Sequence, residues 1–128
     1  MSVYKLATEH DNAEGLLTVD PQPMSPGILY PERRYAADGS AHDHGTVYTV
    51  WQYSILTPAQ YTALLTAFGL ASAVSALVTV ATVDDVARTT WSNYNARIVK
   101  PEHGKTAQFR RGFWRDVQFM LRELEALA

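Results

Sequence analysis

The sequence predicts an α+β domain: a mainly antiparallel β-sheet with one helix packed against it. Three observations carry this. Thr46 to Leu56 alternates β-branched and aromatic side chains in the manner of a pleated strand. Residues 57–70 then switch to helical spacing and mark both helix ends. A β-branched stretch, Val74 to Val83, and an aromatic-bearing one, Thr89 to Lys100, follow, and the segment from Arg111 to Leu124 is again aromatic-bearing.

The first strand has Val47, Thr49, Trp51, Tyr53 and Ile55 on one face and Tyr48, Val50, Gln52 and Ser54 on the other. In the helix, Thr57 is the cap, Pro58 takes the first turn and Gln60 completes a Thr-x-x-Gln capping box. Tyr61, Leu64, Leu65 and Phe68 form its apolar stripe over residues 58–68. Gly69 supplies the left-handed stop, with Leu70 placed to fold back. Val74 to Val83 reads as a strand, Asp84-Asp85 as a turn, and Thr89 to Lys100 as another strand carrying Trp91, Tyr94 and Ile98. Pro101 to Lys105 reads as a hairpin loop. Arg111 to Leu124 fits two patterns. As a strand it aligns Phe113, Val117, Phe119 and Leu121; as a helix it aligns Phe113, Val117, Met120 or Leu121, and Leu124. The strand reading, to about Leu121, is preferred because it pairs with Thr89–Lys100 across a short loop.

Residues 1–45 read as irregular, with short extended pieces at Val3–Ala7 and Gly15–Val19. Pro21, Pro23, Pro26 and Gly27 make Asp20–Gly27 a loop, since proline lacks an amide donor and resists both helix and central strand. Ile28–Tyr35 is at most an edge strand or arm interrupted by Pro31, and Asp38-Gly39 marks a tight turn within Ala36–Gly45. The expected organisation is therefore an N-terminal arm with loops over 1–45 and a β-rich core over 46–128.

A length of 128 residues fits one domain, and 47% apolar residues suffice for a core. Charged residues are 19%, below the roughly 25% of average domains, as suits a surface partly covered by partners or an ordinary compact domain. A net charge of −2 argues against a domain built to grip nucleic acid. The absence of cysteine excludes disulfides, thiolate metal sites and cysteine nucleophiles. No signal pattern opens the chain, and Leu70–Val83 is too short and too interrupted by Ser and Thr for a membrane span. The expected location is the cytosol until assembly.

Three constellations invite chemistry. His42-Asp43-His44 puts two imidazoles on one side of an extended segment, but no third ligand has useful spacing, and a turn-like loop at a subunit contact is the better reading. Asp84-Asp85 resembles a carboxylate pair, yet adjacent aspartates between strands are ordinary turn formers. Arg110, Arg111 and Arg115 interleave with Phe109, Phe113 and Trp114. A continuous strand separates Arg111, Phe113 and Arg115 from Arg110 and Trp114, so a protein contact is favoured over single-stranded nucleic acid. No catalytic site, cofactor or metal is expected.

The order of these pieces is also familiar: Val50-Trp51-Gln52-Tyr53, Leu56-Thr57-Pro58-Ala59-Gln60-Tyr61, Asn93-Tyr94-Asn95-Ala96-Arg97-Ile98, Trp114-Arg115-Asp116-Val117-Gln118-Phe119. Over residues 46–124 it resembles the small minor-tail and distal-tail proteins of long-tailed bacteriophages. The resemblance implies the tail-tube fold, a β-sandwich or rolled sheet flanked by one helix, closing into a ring around a DNA channel. At this length, without an added galectin-like domain, it implies a minor tube or tail-tip ring component of the virion. The implied partners are copies of itself in a six-fold ring, other phage tail proteins, and DNA passing without specific binding, with no membrane. A head–tail joining or tail terminator ring is the nearest alternative. A small cytosolic ligand-binding or enzymatic β-domain, its pocket lined by Trp51, Trp91 or Trp114, is the more distant one. Apolar side chains on a loop-like arm are best hidden against a neighbour. The expected interface therefore comprises Ile28, Leu29, Tyr30 and Tyr35 of the arm, His42 and His44 of the next loop, and Arg110 and Arg111. On this view, a chain lacking residues 1–45 still folds but assembles poorly.

Overall fold

The alternating segments become strands and the capped segment becomes the helix. The computed structural model describes residues 3–30, 32–35, 37–44, 47–84 and 90–127, with 32–35 and 42–44 described by their backbone alone. The elements are β1 (Lys5–Ala7), a 3₁₀ turn (Ala13–Gly15), β2 (Leu17–Thr18), β3 (Glu32–Tyr35), β4 (Ala41–His44), β5 (Thr49–Leu56), α1 (Pro58–Ala67), β6 (Ser75–Val83), β7 (Trp91–Val99), β8 (Gln108–Arg110) and β9 (Phe113–Ala126). About 50% of the chain is strand, and with one α-helix the class is α+β. The main sheet runs β2-β1-β6-β7-β9-β5, with β8 also on β9, and every pairing is antiparallel. It is one sheet curled into a half-barrel. β3 and β4 form a separate two-stranded sheet. His42 and His44 thus lie on a strand, and the turn is confined to residues before it. There Ser40 donates from its hydroxyl and its amide to Asp38, which holds that carboxyl below its ordinary pKa.

β9 is the spine. One edge pairs with β5, from Leu121 opposite Thr49 to Trp114 opposite Leu56. Its other edge serves β8 near Phe113–Arg115 and β7 from Met120 to Ala126. The strand continues to Ala126 although Leu121–Leu127 favours a helix by propensity. Pairing with neighbouring strands satisfies its backbone and outweighs a preference of tenths of a kcal/mol per residue. Two kinks set which side chains point inward. At Asp116 (φ +52°) the alternation flips, so Trp114 and Val117 both face the core. Phe113 and Arg115 consequently turn outward, as does Ile55 opposite Arg115, while Leu56 goes in; this corrects the expectation that Phe113 shares a face with Val117 and Ile55 one with Trp51 and Tyr53. At Glu123 (φ +56°) the β7–β9 register slips by one, a bulge that returns Leu124 to the core.

The helix forms as its end signals predict. Thr57 Oγ1 accepts the Gln60 amide at 3.2 Å, and Gln60 Oε1 accepts the Thr57 amide at 3.0 Å. At the other end Gly69 takes φ +77°, the Leu70 amide reaches the Leu65 carbonyl at 2.8 Å, and the Gly69 amide reaches Thr66 at 3.2 Å. Tyr61, Leu64 and Phe68 are buried, whereas Leu65 is only partly so. The helix packs against β5 and β9. Phe68 meets Trp51 and Phe119 edge-on, at 5.9 and 5.0 Å between ring centroids. Tyr4 extends this aromatic line to Trp51 (5.5 Å) and Trp91 (4.8 Å).

Tyr4 belongs to the segment expected to be an arm, and that expectation is corrected. β1 is a strand of the main sheet, paired with β6, and Tyr4, Leu6, Ala7 and Val19 are buried. Residues 9–12 cover the polar side of β6 and β7. Thr79 donates to the Glu9 carbonyl at 2.6 Å, and Asp11 and Asn95 exchange two hydrogen bonds at 2.8 Å. The proline-rich stretch then runs along β5 at the opposite end of the strand order. Met24 bridges Gln52 and Leu29 bridges Tyr48. Ser25, Thr49 and the Gly27 carbonyl form a buried hydrogen-bonded group there. Sparse amide donors, the reason this stretch read as a loop, suit it to an outer edge.

Candidate functional site at an arginine hairpin

Arg111-Gly112 is the centre of the site. Both residues have positive φ, +53° and +79°, and they join Arg110 to Phe113, the last pair of β8 and β9. A two-residue loop with both central residues at positive φ is the hairpin turn whose twist matches its strands. Reversal of the chain there puts all three arginines together, correcting the expectation that a continuous strand separates Arg110 from Arg115. Arg110 pairs with Phe113, and Arg115 pairs with Gln108 on one side and Ile55 on the other. Arg110, Phe113, Arg115 and Ile55 therefore share one face of the sheet.

Among the described residues, Arg110, Arg111 and Arg115 line one open hollow. None of the three has a carboxylate within ion-pair distance among those residues; the pairs present are Arg97–Glu123 and Lys105–Glu102. Arg115 sits 6.0 Å above the Phe113 ring, which is 38% exposed; Ile55 beside it is 48% exposed. The opposite face of the hairpin is anchored. Trp114 stacks on Tyr61 of α1 at 4.3 Å and 25°, and meets Phe109 at 5.1 Å and His103 at 5.4 Å. The result is a firmly seated strand pair presenting three guanidinium groups beside exposed apolar surface, the composition typical of energetic contacts between proteins.

The other expected interface residues are scattered. Ile28 packs against the chain's own core, and Leu29 is tied by its backbone to Tyr48 with its side chain half-buried. Tyr30 is 48% exposed. The side chains of Tyr35, His42 and His44 lie outside the described residues, as does Asp85. Asp84 accepts hydrogen bonds from Tyr94 and Ser92. Among the described residues no three potential metal ligands cluster. The three tryptophans are engaged in ring contacts with Tyr4, Phe68 and Tyr61. Arg115 and Phe113 belong to the cluster expected to make a protein contact, whereas Ile55 is absent from every expected contact. The legible signal was an x-Gly pair between two alternating runs, passed over in favour of the more loop-like Pro101–Lys105.

Three phenols give the fold a pH dependence, and burial alone raises one of them, Tyr61. Burial, then the hydrogen bond to Asp84 and its charge, push Tyr94 up to about 12. Burial, then the charge of Asp20, raises Tyr53 further, and its hydroxyl donates to the Pro21 carbonyl at 2.7 Å. Between the unfolded value of about 10 and these folded values, the folded chain binds more protons than the unfolded one. Their stabilising contribution is complete below about pH 10 and is lost as pH rises through about 12. Melting temperature is expected to fall above about pH 10, less steeply in Tyr94→Phe; equal slopes in the two proteins count against this assignment.

No protein-family model, curated protein or solved structure matches this chain.

Proposed function

We propose that this chain is a structural protein that assembles with copies of itself, a ring component of the tail of a long-tailed bacteriophage in the minor-tail or tail-tip class. The observation that carries the assembly reading is the hairpin face: three guanidinium groups without carboxylate partners among the described residues, set beside exposed Phe113 and Ile55. Charge and apolar surface left open together on a seated hairpin is what a protein contact uses, because a partner supplies both the carboxylates and the cover. A single curled antiparallel sheet with one helix packed on it also suits the tail-tube architecture suggested by the order of the sequence motifs. Ring closure needs only that the rotation between neighbours divide a full turn.

The purified protein is expected to sediment as a closed oligomer, six-fold in this reading, and to appear as rings by negative-stain electron microscopy. A chain that stays monomeric at concentrations up to hundreds of micromolar would sink the proposal.

A further inference from the structure

We infer that the arginine hairpin of one copy docks against the acidic far end of β9 on the next copy, with Glu125 and Asp11 as its receivers. The inference rests on the assembly reading above and names the contact. β9 is 14 residues long, so its ends are roughly 45 Å apart. Arg110, Arg111 and Arg115 gather at its start. At its finish lies an open hollow lined by Asp11, Ala13, Ser92, Asn93, Ala126 and Leu127. Glu125 is paired with Asn95, whose amide exchanges two hydrogen bonds with Asp11, so both carboxyl-bearing residues are placed beside that hollow. Glu9, Asp11, Glu14 and Glu125 are all exposed. The nearby cations are Arg97, which faces Glu123 at 3.8 Å, and Arg122, paired opposite Arg97; the five carboxylates of Glu9, Asp11, Glu14, Glu123 and Glu125 outnumber them. One end of the strand is thus rich in cations and the other in carboxylates. Guanidinium forks match carboxylates in geometry as well as charge.

A second copy is a better occupant than a nucleic acid strand. Bases need a continuous open aromatic platform, yet Trp114 is stacked on Tyr61, and the exposed Phe109 and Phe113 lie on opposite faces of the hairpin. The whole chain carries net charge −2, which opposes accumulation on phosphate. Because the two patches differ, the contact is head-to-tail, so each copy both gives and receives.

A charge exchange tests this in the full chain. One variant is Arg110→Glu with Arg111→Glu. The other is Glu125→Arg with Asp11→Asn, which retains a hydrogen-bonding side chain opposite Asn95. Circular dichroism checks that each is folded, and sedimentation velocity reads its mass. Each variant alone is expected to lose assembly, with the apparent dissociation constant raised by about tenfold or more. An equimolar mixture is expected to recover the wild-type mass, since both contacts are then complementary again. Raising salt to about 1 M, where the screening length is about 3 Å, should weaken assembly of the wild type. Folded variants that assemble like wild type, or a mixture that fails to recover, overturn the contact while leaving the ring reading intact. A wild-type dimer that both variants disrupt and their mixture restores supports the contact and removes the six-fold ring. A monomeric wild type overturns both. Loss of binding to a fluorescent oligothymidylate in the Arg→Glu variant, with assembly unchanged, assigns the hairpin to nucleic acid instead.

Discussion

A chain beginning at residue 31 is expected not to fold. Truncation removes β1 and β2 from one end of the main sheet and the bridges at Met24 and Leu29 from the other. It also removes Tyr4, Leu6 and Val19 from the core. Full burial of such side chains contributes about 1.5–3 kcal/mol each, and a domain of this size holds only about 5–15 kcal/mol in total. Backbone groups on β6 lose their partners as well, and the hydroxyl of Thr79 loses the Glu9 carbonyl. Far-ultraviolet circular dichroism and amide exchange of the truncated chain are the checks. A cooperative unfolding transition with native-like protection would restore the view of this segment as an arm. Of the first 45 residues, only the β3–β4 pair forms a sheet of its own among the described residues.

Replacing Trp51 with alanine is expected to cost about 3–5 kcal/mol. The side chain is fully buried, meets Tyr4 and Phe68 edge-on, and donates from Nε1 to Thr82 Oγ1 at 3.1 Å. Alanine leaves a cavity between helix and sheet and removes the partner of a buried hydroxyl. Trp51→Phe keeps most of the volume and should cost clearly less. Urea unfolding at constant m-value measures both. A loss below about 1 kcal/mol for alanine would mean that the site collapses freely, and that this aromatic line does not hold helix to sheet.

Local chemistry made α1 legible. Its capping box, first-turn proline and terminal glycine act within a few residues of one another, so their geometry follows from the sequence without a partner. β5, β6 and β7 were legible for a related reason: β-branched and aromatic residues prefer a pleated surface wherever it lies.

The remaining features depend on residues far apart in the chain. Nothing local says that Leu6 pairs with Val80 or that Met24 lies beside Gln52, so both fall within the arm expected over residues 1–45. Strand alternation likewise extrapolates one parity along a segment. The positive φ of Asp116 and Glu123 breaks that parity, and neither residue is the glycine that would announce it. The hairpin at Arg111-Gly112 has arginine where Asn or Asp usually precedes the glycine, so its turn signal is weaker than that of Pro101–Lys105. The sequence alone therefore determined the class, the helix and the main strands, because those follow from short-range spacing and end signals. Only the tertiary structure decided that the N-terminal segment serves both sheet edges and that three arginines meet around one hollow. Pairing register and left-handed residues are set by what the distant chain offers to bond.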